Sequence, residues 1–258
     1  MSWARRGVVA ALLASAAVAG CTGISTDPQI PLSIQFDSLP SQAVVVGDTM
    51  RGGDLLPARI ALQAFNSSGA AISDSQLRLI GIDTASTNAF TVISGLRIVG
   101  RAVVPVVSVV GQAGGVQSQT QTFAVVTAPT AMSRLPADST DSLVYDRVDT
   151  STRFVDTRVR VVAGTTALSG LRVRFTVVSA TDSLVDSVRI VSPASGRVVS
   201  SALLNAGDAT VRVKAWRKGA ARGRGVVTLE ASLRANGVDV PGSPLRFPIR
   251  LVPFTGTP

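Results

Sequence analysis

The stretch Leu168-Ser169-Gly170-Leu171-Arg172-Val173-Arg174-Phe175, continued by Thr176-Val177-Val178, decides the fold. After a Ser-Gly turn, apolar and charged side chains alternate, the period-2 pattern of a strand with one buried face. Further on, Asn205-Ala206-Gly207-Asp208 supplies a tight turn, of the kind that joins antiparallel strands. Ala209-Thr210-Val211-Arg212-Val213-Lys214 then alternates again, valines to one side and cations to the other. Segments of this sort, punctuated by Gly, Asn and Ser at roughly 8–12-residue intervals, mark an all-β sandwich. No amphipathic helix of three turns interrupts them, so the fold class is all-β.

Working outward, strands are expected near Leu32–Phe36, Ala43–Val46, Arg59–Phe65, Leu77–Ile82, Phe90–Ile93, Leu96–Val99, Ala102–Val110 and Gln117–Val126. A second set is expected near Ser142–Val148, Thr157–Val162, Leu171–Val178, Ser187–Val191, Arg197–Leu204, Ala209–Trp216, Val226–Leu233 and Leu245–Val252. Asn66-Ser67-Ser68-Gly69 carries turn chemistry, because Asn and Gly tolerate positive φ. The two sets match in pattern. Arg59 to Phe65, a Gly-containing turn and Leu77-Arg78-Leu79-Ile80 parallel Arg158 to Val162, Gly164 and Leu171 to Val177.

At these segments the chain resembles bacterial Ig-like domains, the modules strung together in invasins and intimins. Residues 168–175 are similar to their (V/L)SGV-x-V-x-F segment, and 205–211 to their Asn/Asp-x-Gly-x-Ala-x-Val segment. Gly225-Val226-Val227-Thr228-Leu229-Glu230-Ala231 is similar to the strand that follows. The resemblance spans residues 130–252 and, more loosely, 31–127. It implies two Ig-like β-sandwiches, placed at 32–128 and 142–253 with a polar, Pro-containing linker at 129–141.

The N-terminus has a separate meaning. Arg5 and Arg6 precede the uncharged, small-residue run Val8 to Val18, which is shorter than the roughly 20 apolar residues of a membrane span and fits an export signal. Val18-Ala19-Gly20-Cys21 resembles the lipobox of bacterial lipoproteins. That resemblance implies removal of residues 1–20, lipid (diacylglycerol and a fatty acyl chain such as palmitate) on Cys21, and a membrane as the first partner. Thr22 after the cysteine implies the outer membrane. Cys21 is the single cysteine of the chain, so no intrachain disulfide can form although export leads to an oxidising compartment. Residues 21–31, rich in Gly, Ser, Thr, Asp and Pro, read as a short flexible tether.

Composition narrows the function. The 258 residues are 46% hydrophobic and 16% charged, enough for packed cores and unlike a disordered tail. Charge is uneven: 5 basic and 6 acidic residues lie between Cys21 and Ala128, but 18 basic and 10 acidic between Pro129 and Pro258. The absence of histidine removes a Ser-His-Asp triad and an imidazole base. Glu230 is the single glutamate, on the outer side of its strand, and Lys214 and Lys218 are the only lysines, neither in a Ser-x-x-Lys. Asp138, Asp141, Asp146 and Asp149 match no Ca²⁺ loop and read as solvated turns. No enzyme, cofactor or metal site is expected.

What remains is cationic. Lys214, Trp216, Arg217, Lys218, Arg222 and Arg224 fall on a strand end and hairpin loop, where an aromatic beside cations suits an anionic glycan, lipid headgroup or acidic envelope protein. Nucleic acid is not expected of an exported chain. Arg158 and Arg160 share one strand face and Arg212 and Lys214 another. If those strands are neighbours, as the resemblance implies, they form a four-cation outer face, with Arg172 and Arg174 projecting from the opposite sheet. The expectation is a lipid-anchored envelope protein with a structural, adhesion or binding role. The alternative is an accessory subunit of an envelope secretion or assembly complex.

Overall fold

A computed structural model describes residues 27, 29–136, 141–145, 153–180, 188–215 and 225–253. Cys21, Trp216, Arg217, Lys218, Arg222 and Arg224 therefore lie outside the described residues, as do Asp138, Asp146 and Asp149. The first strands are β1 (Ser33–Phe36), β2 (Ala43–Val45), β3 (Leu62–Phe65) and β4 (Arg78–Gly81). A short helix, α1 (Thr84–Ala89), leads into β5 (Phe90–Ile93), β6 (Arg97–Gly100), β7 (Val104–Ala113), β8 (Val116–Gln117) and β9 (Gln121–Val126). Then come β10 (Ala131–Leu135), β11 (Asp141–Tyr145), β12 (Val155–Ala163), β13 (Thr166–Ala167), β14 (Arg172–Ala180) and β15 (Val188–Val191). The series ends with β16 (Ser201–Leu203), β17 (Asp208–Ala215), β18 (Gly225–Ser232), β19 (Arg234–Ala235), β20 (Val238–Asp239) and β21 (Leu245–Pro253).

Both halves of the chain use one strand scheme, that of an Ig-like sandwich. The first strand of each half pairs antiparallel with the third, β1 with β3 and β10 with β12. The chain then changes sheets, and the next strand runs parallel to the last of its half: β2 beside β9 and β11 beside β21. Each last strand pairs antiparallel with the one preceding it in the ladder, β9 with β7 and β21 with β18. The protein is all-β, as its alternating segments imply, with the Ig-like sandwich topology that the resemblance implies.

Contacts divide the chain into two units. One comprises the described residues up to Asp37 with Leu62–Arg78 and Gly111–Gln119. In it, Phe36, Leu62, Ala64 and Ala113 are buried. The turn after Phe65 is organised by Asn66, whose side-chain oxygen accepts bonds from Ser68 N at 3.0 Å and Ala70 N at 2.9 Å.

The other unit comprises Ser38–Ala61, Leu79–Val110 and the described residues from Thr120 onward. Its second half holds two five-stranded sheets: β10-β12-β17-β15 with β13 on β12, and β11-β21-β18-β14-β16. Val159, Val161, Val211 and Val213 face Val173, Phe175, Leu229, Phe247 and Ile249 in one apolar cluster. Burying each of these side chains contributes about 1.5–3 kcal/mol.

That cluster also contains Ala43 and Val45 of β2, and polar bonds reinforce the contact. Gly170 O accepts bonds from Ser41 Oγ at 2.7 Å and Gln42 N at 3.1 Å. Gly170 has φ +82°, and a Cβ there would collide with the Gln42 backbone and Ala43, so the glycine of the Ser-Gly turn is set by this approach as much as by the turn. Arg172, expected to project outward, is instead partly buried and donates to Pro40 O and to Ser201 Oγ at 3.2 Å. Burial pulls its guanidinium below the ordinary value.

Residues 131–135 depart from expectation in another way. They sit in the stretch read as a linker, yet form the edge strand β10, pairing from Ala131↔Val162 to Leu135↔Arg158. Met132 is buried, and its N–H donates to Pro241 O at 2.9 Å. Five residues with a single buried hydrophobe give too short an alternation to register as a strand. Tertiary pairing decides the matter.

Candidate anion-binding face

β12 and β17 are neighbours, with Asp156↔Arg212, Arg158↔Thr210 and Arg160↔Asp208 opposite one another. This pairing brings Arg158, Arg160, Arg212 and Lys214 onto one outer face, as expected from the alternation together with the strand neighbours that the resemblance implies. The inward neighbours Val159, Val161, Val211 and Val213 are at most 1% exposed. β15 adds a cation that the sequence reading did not single out: Arg189 lies directly opposite Lys214.

Among the described residues, two acids share the face. Asp208 accepts from Arg160 Nε at 2.8 Å and Nη2 at 3.1 Å, and lies 3.9 Å from Arg158. Asp156 accepts from Arg212 Nε at 2.8 Å and Nη2 at 3.4 Å. The Arg212 guanidinium also lies 3.7 Å from the centre of the exposed Phe154 ring, a cation–π stack. Hydrogen bonds donated to these carboxylates hold Arg160 and Arg212 above the ordinary arginine value. Both stay fully charged. In sequence, Asp156 was legible as the next member of the 156-158-160 alternation, and Asp208 as the end of the Asn-Ala-Gly-Asp turn.

The face thus consists of successive cross-strand rows. Arg189 and Lys214 occupy the first, Arg212 and Asp156 the second, Thr210 and Arg158 the third, Asp208 and Arg160 the fourth. Rows two residues apart are about 6.6–7 Å apart along the strands. Each row therefore presents a cation, and among the described residues of the face five cations stand beside two carboxylates. Arg158 and Arg160 have about half their side-chain surface exposed, 51% and 48%.

Elsewhere, several charged groups have structural partners. Arg51 donates to Asp48 through Nε at 2.8 Å and Nη2 at 2.9 Å. Asp141, one of the clustered aspartates, pairs with Arg134 at 3.1 Å, and Arg134 lies over Phe247 at 4.9 Å. Glu230 faces outward and pairs with Arg246 at 3.2 Å. In the cleft lined in part by Asp48, Arg51, Arg172 and Arg234, each of these four ionisable side chains has a partner. Among the described residues no helix is long and apolar enough to cross a membrane.

No protein-family model matches the chain, and no curated protein matches it. Solved structures similar to it include the D00-D0 domain of intimin, at 16% identity over 85% of this chain and 98% of that one, TM-score 0.29. The Yersinia pseudotuberculosis adhesin InvE is 12% identical over 84% of this chain and 58% of its own, TM-score 0.34. An endo-fucoidan hydrolase of glycoside hydrolase family 107 is 12% identical over 87% of this chain and 29% of its own, TM-score 0.35.

Proposed function

We propose that the protein is a lipid-anchored component of the bacterial cell envelope that binds rather than catalyses, through Ig-like sandwiches of the invasin and intimin type. The observation that carries the binding role is the row of cations on the β12–β17 face. The anchoring reading rests on the charged start, the short apolar run and Val18-Ala19-Gly20-Cys21. Residues 21–31 then serve as a tether, and Thr22 favours the outer membrane. The non-catalytic reading rests on the lack of histidine, on the commitment of the one cysteine to lipid, and on acids that hold arginines in place.

The anchor has a direct test. Cys21→Ala is expected to block processing or to shift the protein from the membrane to the soluble fraction, because acyl chains are what make attachment durable. A normally cleaved Cys21→Ala product that stays wholly with membranes would remove the lipid assignment.

The basic segment from Arg217 to Arg224 supplies a second expectation. Charge reversal at Arg217, Lys218, Arg222 and Arg224 should weaken retention on anionic envelope material, with the difference shrinking as salt rises. Retention equal to wild type at low salt would take this segment out of the binding site. A pull-down from solubilised membranes separates this reading from an accessory role in a secretion or assembly complex, which would return one stoichiometric protein partner.

A further inference from the structure

We infer that the outer face of β12, β17 and β15 is the docking surface for a linear acidic polysaccharide laid along its successive rows. This rests on the binding role proposed above and names its ligand class.

The argument begins with shape. The face is an open sheet surface, so a single small anion would meet solvent-exposed guanidinium groups one at a time. Each exposed ion pair on its own contributes little, because solvent screens it. Useful affinity then requires several contacts on one molecule, where the first raises the effective concentration of the next. A polymer with regularly repeated acidic groups meets that condition, because each row from Arg189–Lys214 to Arg160 presents a cation.

The internal acids sharpen the surface. Asp208 holds Arg160, and Asp156 with Phe154 holds Arg212 flat against the sheet. These guanidinium groups are fixed before any ligand arrives, which lowers the ordering cost of binding. Arg158, 3.9 Å from the nearer carboxylate, and Lys214 carry the charge less committed to the sheet. Arg189 adds its charge beside Lys214.

The choice of a glycan over a lipid surface rests on the same geometry. Arginines pinned to the sheet do not extend toward headgroups, as snorkelling side chains do. The hydroxyls of Thr210 and Ser133 lie in the same rows as Arg158 and Arg160, offering donors and acceptors to sugar hydroxyls.

The test uses the purified full-length protein in detergent, so its outcome does not depend on where the anchor places it. Binding to immobilised alginate, a linear carboxylated polysaccharide, is measured against neutral dextran and against glycerophosphate, the phosphatidylglycerol headgroup, covalently immobilised on the same support. Wild type should bind alginate and lose that binding steeply between low salt and about 0.3 M, where the Debye length is a few ångströms. The double variant Arg158→Glu/Lys214→Glu should bind at least about tenfold more weakly. The uncharged pair Arg158→Gln/Lys214→Gln should show a smaller loss in the same direction, and guards against misfolding of the reversed variant. Arg174→Glu/Arg250→Glu, the same charge change at exposed sites on the other sheet, should stay within about twofold of wild type.

Three results would overturn the inference: no alginate binding by wild type, an equal loss in both charge-reversed variants, or binding to the immobilised headgroup without alginate binding. Membrane release of Cys21→Ala stands or falls separately, so failure of the ligand and failure of the anchor are told apart.

Discussion

Asp48→Ala is expected to lower the unfolding free energy by about 3–5 kcal/mol, the cost of leaving one member of a buried ion pair without the other. Asp48 is 7% exposed, and its carboxylate takes four donors. Thr49 N and Arg51 Nη2 bind Oδ1 at 2.8 and 2.9 Å, while Arg51 Nε and Asn236 N bind Oδ2, both at 2.8 Å. Alanine would strand a guanidinium whose side chain is 14% exposed and would take from the Asn236 N–H its carboxylate acceptor. Arg51 would keep its bond to Leu55 O, 2.7 Å away, but that carbonyl carries no compensating charge.

Chemical denaturation of Asp48→Ala beside Asp239→Ala measures the effect. Asp239 also pairs with an arginine, Arg234 at 3.2 Å, but with 54% of its side chain exposed. Its loss should stay under about 1 kcal/mol. If Asp48→Ala costs no more than that, the Asp48–Arg51–Asn236 contact does not join these parts of the chain as the geometry indicates.

Asp48 also shows where sequence reading stops. The sandwich cores were legible, because Val159, Val161, Val211, Val213, Val173 and Phe175 fall on the inner side of simple alternations. The cationic face followed from the complementary positions. It became a surface only through the pairing of β12 with β17, which the family resemblance implied and the register establishes. Nothing local announces that Asp48 meets Asn236 across 188 positions, since Val46-Gly47-Asp48-Thr49 reads as an ordinary polar turn. The same holds for Arg172, whose place in an alternating strand implied an outward arginine. Its partner Pro40 comes from a segment 132 positions away, and long-range contacts of that kind leave no periodic trace. Arg189 failed to stand out for a different reason. A single cation in a short strand gains meaning only when the ladder sets it against Lys214.

The strand β10 raises this point most directly, and Gly242 provides its test. Gly242 has φ +87°, and a Cβ built there would overlap the carbonyl group of Met132, while Met132 N donates to Pro241 O at 2.9 Å. Two costs therefore coincide in Gly242→Val. A side chain in left-handed backbone costs about 1–2 kcal/mol, and overpacking against a fixed neighbour adds about 1–3 kcal/mol. A loss of about 3 kcal/mol or more is expected, read as a lowered denaturation midpoint. Gly237 isolates the first cost, because it has φ +79° and nothing within 4 Å of a built Cβ. Gly237→Val should then cost about 1–2 kcal/mol. The difference between the two variants measures how tightly β10 is held against the turn at 241–242. Equal effects would mean that Met132 yields freely, and that residues 131–135 behave as the linker their sequence suggests.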